Sequence, residues 1–88
     1  MSSTQNLPCN PRVNRIFHKV KALADSLGAP APEELLRIAG VTAHDVGAWL
    51  RPEESRAFRA MSDYDLHRYL DALNWWADQH QAADPQQL

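Results

Sequence analysis

Apolar residues recur at helical spacing in four stretches of this chain, and polar or proline-containing connectors separate the stretches. In the first stretch the apolar residues between positions 13 and 27 fall on one side of a helix, which predicts a helix over residues 11–27. Asn10 is a favourable N-cap, Pro11 is a favourable first residue, and Gly28 follows the predicted last residue. The pattern therefore predicts this helix together with its two ends.

Two shorter apolar segments follow and predict a helical hairpin. Pro32 begins its first helix and Gly40 ends it. Thr42 and Asp45 form a capping-box pattern at the start of the second helix, which ends before Pro52. The predicted buried residues are Leu35, Leu36, Ile38 and Ala39 in the first helix and Val46, Trp49 and Leu50 in the second.

The fourth stretch predicts a long helix over residues 63–79, with Ser62 as its cap. The centre of its predicted buried face consists of Leu66, Leu70, Leu73 and Ala77, with Tyr69 and Trp76 at the margin. These elements predict an all-α fold, a compact bundle of about four helices with a central helix-turn-helix-like hairpin. One domain covers residues 11–80, between a disordered N-terminal arm (1–10) and a flexible C-terminal tail (81–88).

The charge of the chain, −2 in total, is unevenly distributed. Arg12, Arg15 and Lys19 make the N-terminal third basic, whereas five aspartates and one arginine lie between residues 63 and 84. A nucleic-acid-binding surface must therefore be local. The first residues lack the basic start and the apolar stretch of a signal peptide, and no apolar run approaches about 18 residues. These features predict a cytoplasmic protein without a membrane partner.

The hairpin suggests DNA binding, because Gly40 in the turn and Val46 in the second helix are typical of a helix-turn-helix. The second helix of that motif reads bases in the major groove, mostly through Arg, Lys, Asn and Gln. His44 and Arg51 are the candidate readers, and Arg12, Arg15 and Lys19 are the candidate phosphate contacts. Asp45 has the wrong charge for this task, so a purely structural hairpin is the alternative.

Residues 35–54, LLRIAGVTAHDVGAWLRPEE, and residues 62–73, SDYDLHRYLDAL, resemble the YehS-like bacterial family, whose function is not established. The likeness spans residues 11–78 and rests on packing and capping positions. Segment 40–49 has a looser likeness to small phage-type helix-turn-helix regulators. The family usually carries two tandem copies and basic residues after the last helix, whereas this chain has one copy and continues into residues 74–78, NWWAD. The resemblance therefore implies a second chain that supplies the other copy.

Catalytic and metal-binding patterns are missing from the sequence. The four histidines form no pair at a spacing of three or four and no cysteine pair accompanies them. Cys9 is the single cysteine of the sequence, so no intrachain disulfide can form. The chain also lacks a glycine-rich phosphate loop and a Ser-His-Asp arrangement. We therefore expect no enzyme activity, cofactor, metal or small-molecule substrate.

Aromatic residues on the last helix predict a protein interface. Trp75 falls about 180° and Tyr64 about 160° from the centre of the predicted buried face, and Arg68 and Asp71 share that side. Trp, Tyr and Arg are frequent interface anchors, although the first helix or the N-terminal arm is an alternative cover for this side. Two functions follow: a dimeric DNA-binding transcriptional regulator, or a protein-interaction module, adaptor or inhibitor, that binds no nucleic acid.

The hairpin predicts the effect of one core substitution. Trp49→Ala should lower the free energy of unfolding by about 3–5 kcal/mol, because it removes a large side chain from the predicted core. Small domains have only about 5–15 kcal/mol in total, so this variant should be close to unfolded. Chemical denaturation measures the effect, and an unchanged midpoint would place Trp49 on the surface.

Overall fold

A computed structural model describes residues 9–81 and confirms the all-α prediction over that range. Its helices are α1 (Pro11–Ser26), α2 (Pro32–Leu35), α3 (Ala43–Leu50) and α4 (Asp63–Gln81). Residues 1–8 of the predicted arm and 82–88 of the predicted tail lie outside the described residues. Cys9 and Ser62 form an isolated antiparallel β-bridge, so the chain before α1 runs against the start of α4.

Side-chain caps begin the helices at the predicted positions. Asn10 Oδ1 accepts a hydrogen bond from the backbone N–H of Arg12 at 2.8 Å. At α3, Thr42 Oγ1 accepts from the N–H of Asp45 at 3.2 Å, and the Asp45 carboxylate accepts from the N–H of Thr42 at 3.1 Å. Ser62 Oγ accepts from the N–H of Asp65 in the first turn of α4 at 3.1 Å. These bonds satisfy N–H groups that have no partner inside the helices.

The first helix of the predicted hairpin is shorter than the sequence indicates. Residues 36–40 form turns rather than α-helix, with N–H to carbonyl bonds from Ala39 to Leu36 and from Gly40 to Arg37, each 3.0 Å. Such three-residue steps rotate the side chains away from their α-helical directions. Ile38 and Ala39 are consequently exposed, which corrects their predicted burial, and the helix-turn-helix geometry of the hairpin is not confirmed.

The core joins three helices through aromatic rings. The Phe17 ring lies edge-on to Trp49 and Tyr69, with centroid distances of 5.9 and 4.9 Å. Edge-to-face pairs of this kind contribute about 0.5–1.5 kcal/mol beyond the area they bury. Trp49 is buried as predicted. The buried core cluster consists of Val13, Phe17, Leu36, Val41, Val46, Trp49, Met61, Leu66 and Tyr69.

The buried face of α4 is rotated relative to the prediction. Tyr69, predicted at the margin, is completely buried, whereas Leu70, predicted at the centre, is exposed. Ala72 and Trp76 are half-buried on the side that faces segment 30–38. The cause is tertiary: α4 packs against both α1 and α2, and their positions decide which of its side chains are covered.

A buried asparagine connects α1 to the segment between α3 and α4. Asn14 is 1% exposed, and its Nδ2 donates to the carbonyls of Trp49 and Arg59, both at 2.9 Å. Its Oδ1 accepts from the N–H of Met61 at 2.7 Å. The N–H of Arg59 donates to the carbonyl of Ala48 at 3.1 Å. Two carbonyls at the end of α3 thus obtain partners that the helix itself does not provide.

This network predicts the consequence of removing the Asn14 amide. Asn14→Ala should lower the free energy of unfolding by about 2–4 kcal/mol, because it leaves interior carbonyls and an N–H without partners, at about 1–3 kcal/mol each. Urea denaturation measures the change. Asn74→Ala, at an exposed position of α4, is the matched control and should stay within about 0.5 kcal/mol of wild type. Equal midpoints for the two variants would contradict the role of the network.

Candidate functional site

The outer face of α3 is the first candidate surface, and with the basic side of α1 it is termed the α3 surface (residues 12, 15, 19, 44 and 51). His44 and Arg51 are exposed beside a shallow depression of about 250 Å³. The rest of its lining consists of Ala43, Gly47, Ala48 and Ala57. His44 and Arg51 therefore supply the side-chain hydrogen-bond donors of this depression.

Carboxylates neutralise part of this region. Arg15 binds Glu53 through two hydrogen bonds, Nε to Oε2 at 2.8 Å and Nη2 to Oε1 at 3.1 Å, and this contact raises the pKa of Arg15. Arg59 binds Asp45 at 3.3 Å. The pKa of Asp45 is lowered, first by the hydrogen bond from the Thr42 backbone and then by the Thr42 hydroxyl and Arg59. Both arginines thus face a carboxylate within the chain.

The five residues predicted to contact DNA lie on two neighbouring elements. Arg12, Arg15 and Lys19 are exposed on α1 at spacings of three and four, and therefore share one side of that helix. Arg15 reaches Glu53, two residues after Arg51, so the basic side of α1 borders the C-terminal end of α3. This arrangement can follow a phosphate backbone, but Glu53 offsets one of its charges. DNA contact by these residues stays a prediction.

The second candidate surface surrounds Trp76, which is half-buried between two apolar grooves. The larger groove, about 600 Å³, lies between α4 and segment 30–38. The smaller, about 180 Å³, lies between α4 and the end of α1. The two grooves form the Trp76 surface. Apart from Trp76, its apolar residues are Pro30, Leu35, Ile38, Ala72 and Trp75 on one side and Val20, Leu23, Ala24, Leu27, Leu73 and Ala77 on the other.

Large apolar side chains are unusually exposed on the Trp76 surface. Ile38 is 101% exposed, Leu27 74%, Leu23 66% and Trp75 61%. Contiguous exposed patches of this kind on small proteins mark interaction sites more often than scattered apolar residues do. The Trp76 surface therefore has the composition of a site that another apolar surface covers.

The four residues predicted as a protein interface fall into two groups. Tyr64, Trp75 and Asp71 are exposed. Arg68 is half-buried, because its guanidinium lies 5.0 Å from the centre of the Tyr64 ring and its Nη2 donates to the carbonyl of Ala39 at 3.5 Å. Since α4 is rotated, Trp75 lies on the flank that faces segment 30–38 rather than opposite the core. Tyr64 and Trp75 consequently have different surroundings, and their joint role in an interface stays a prediction.

Sequence reasoning missed the exposure of Ile38, Leu23 and Leu27. All three follow the helical period and were assigned to buried faces. Leu27 and Ile38 lie within two residues of Gly28 and Gly40, which have φ angles of 86° and 85° and end their segments. Proximity to a terminating glycine was the one available signal, because the chain leaves the packed layer there.

Two further polar groups lie in the interior of the described residues. Within residues 9–81, the Tyr69 hydroxyl and Arg68 Nε are buried without a hydrogen-bond partner. Burial, with a smaller contribution from the charge of Asp25, raises the pKa of Tyr69 to about 12, so its ring stays neutral near pH 7. No three metal-binding side chains gather within the described range, and none of its helices is long and apolar enough to cross a membrane.

Comparisons with known proteins identify no relative: no family model, no curated protein and no solved structure matches this chain. The resemblance to the YehS-like family and the looser likeness to phage-type regulators stay predictions. The two surfaces are therefore the features of the molecule that bear on its function.

The α3 surface generates a prediction for DNA binding. If α3 enters a groove, Arg51→Ala and His44→Ala should weaken binding without unfolding the domain, because both side chains are exposed. Arg12→Ala and Lys19→Ala should each reduce the salt slope by about 1, whereas Arg15→Ala should reduce it less because Glu53 offsets its charge.

Gel shifts with random duplex DNA over a series of salt concentrations measure these effects. Lys21→Ala, on α1 but paired with Asp25 at 2.8 Å, is the control and should leave the salt slope unchanged. A DNA affinity and a salt slope that are unchanged in all five variants would contradict groove docking. The absence of any shift at low salt would contradict DNA binding itself.

Proposed function

We propose that the protein is a non-enzymatic interaction module whose Trp76 surface docks a helical segment of another polypeptide. The observation that carries the proposal is the cluster of exposed Ile38, Leu27, Leu23 and Trp75 around two grooves. A surface charge or polar side chain at these positions would improve solubility, so their apolar character favours a covering partner.

The energetics of this surface suit a protein contact. Burial of its four exposed side chains removes roughly 400 Å² from water, which corresponds to about 10 kcal/mol before the costs of association. Those costs are of comparable size, about 4–15 kcal/mol. The surface is therefore large enough for a specific complex but requires further contacts at its border.

The shape of the surface suits a helix. The larger groove follows α4 along Ala72, Trp75 and Trp76, with Leu35 and Ile38 as the opposite wall. An amphipathic helix presents apolar side chains at positions i, i+3, i+4 and i+7, which match an apolar groove between two elements. The charged side of such a helix would face solvent above Glu34 and Arg37, which also border the groove.

A DNA-binding regulator is the second candidate. The observation in its favour is the Arg15–Glu53 contact, which brings the basic side of α1 next to the end of α3. The net charge of −2 and the carboxylates bound to Arg15 and Arg59 weigh against it. For these reasons the protein-interaction function ranks first.

The interaction function predicts that the exposed apolar residues control partner binding. Ile38→Glu and Trp75→Glu should lower the affinity of a purified binding protein at least about 30-fold, because hot-spot residues contribute about 2 kcal/mol or more. Binding proteins are isolated with the immobilised chain, identified by mass spectrometry, and then titrated as purified proteins. Far-UV circular dichroism verifies that the variants fold.

Ile16→Glu is the matched control, since Ile16 is exposed on α1 and borders neither groove. It should retain the wild-type affinity. Equal affinity of wild type, Ile38→Glu and Trp75→Glu would contradict docking at the Trp76 surface.

A further inference from the structure

The proposed function leaves the occupant of the Trp76 surface unnamed. Resting on that function, we propose that the docked helix is α4 of a second copy of the chain, so that the Trp76 surfaces of two copies meet across a two-fold axis. A two-fold interface is formed by the same patch on both copies, so one patch must carry both protruding groups and the cavity that accepts them.

The larger groove meets this requirement. Ile38 is completely exposed on its wall and Trp75 protrudes beside it, while half-buried Leu35 and Ala72 line the space between them. The volume of the larger groove, about 600 Å³, lies within the range of about 300–1,000 Å³ that is typical of pockets for drug-sized molecules. It therefore has room for Ile38 and part of Trp75 from a second copy.

The charges at the border of the groove are self-complementary. Glu34 and Arg37 are both exposed there, three residues apart, and within residues 9–81 neither forms an ion pair. A two-fold axis through the groove sets Glu34 of each copy opposite Arg37 of the other, so the contact forms twice. A foreign surface of one charge sign would repel one of these residues, whereas an identical surface attracts both.

The area of the surface is consistent with a dimer. A standard interface buries about 800 Å² on each partner, and the exposed apolar side chains supply roughly half of that. The two charged residues and the groove walls contribute the remainder. In a two-fold dimer each copy contributes its apolar side chains, its two charged residues and its groove walls, so no separate ligand is needed.

Sedimentation equilibrium from about 1 µM to about 1 mM tests self-association. Wild type should form dimers in this range, and Ile38→Glu should weaken the dimer at least about 30-fold while it stays folded by circular dichroism. Ile16→Glu, outside the grooves, should dimerise like wild type. Dimers that persist unchanged in Ile38→Glu would overturn the proposed interface.

Charge reversal tests the two-fold arrangement itself. Glu34→Arg and Arg37→Glu should each weaken self-association about tenfold at low salt, because each creates two like-charge contacts. An equimolar mixture of the two variants should regain the wild-type affinity, because both contacts in the mixed dimer then pair opposite charges. A mixture that associates no better than either variant alone would overturn the two-fold pairing.

The two proposals fail in different ways. A wild-type monomer at all concentrations, together with a separate protein whose binding requires Ile38, overturns the second copy and retains the interaction function. A monomer with no Ile38-dependent binding partner overturns both. A dimer that requires Ile38 and is restored in the mixture supports both.

Discussion

One buried side chain, Asn14, makes three hydrogen bonds, one with the end of α3 at Trp49 and two with the connector between α3 and α4, and these bonds hold both against α1. The connector has no regular helix of its own, so these bonds replace the regular backbone pairing that would otherwise hold it. By fixing Met61, Asn14 also sets where Ser62 caps α4, and therefore the direction in which α4 leaves the core. A buried amide has a high free-energy cost in any arrangement that breaks its bonds, which favours one packing of the helices over others.

The parts of the fold that local chemistry determines were predictable. The helix starts at Asn10, Thr42 and Ser62 depend on residues within three positions, and each predicted cap forms its bond. Tertiary contacts determined the rest. Asn14 looks like any polar residue on a helix until Trp49, 35 residues away, approaches it, and the rotation of α4 depends on which helices pack beside it. Single-sequence periodicity contains neither fact.

The candidate sites also divide into features that local sequence determines and features that tertiary contacts determine. His44 and Arg51 were identifiable because a polar residue outside the apolar stripe of a helix is normally exposed, and both are. The exposure of Leu23 was not, because the helical period identifies an apolar stripe but not how far a neighbouring element covers it. In this small domain the stripes of α1 and segment 30–38 extend beyond the core, and the uncovered part forms the Trp76 surface.

Residues of the Trp76 surface also contribute to the stability of the fold. Ala72 and Leu73 pack against the core cluster, and each also lines one of the two grooves. Trp76, which lines both, is only half-buried. An occupant that binds the folded chain alone stabilises it by mass action, by about 2.7 kcal/mol at a hundred times its dissociation constant. For a domain with a modest core this gain is a considerable fraction of its stability. The proposed docking would therefore be linked to folding, because the residues at the edge of the core are also residues of the Trp76 surface.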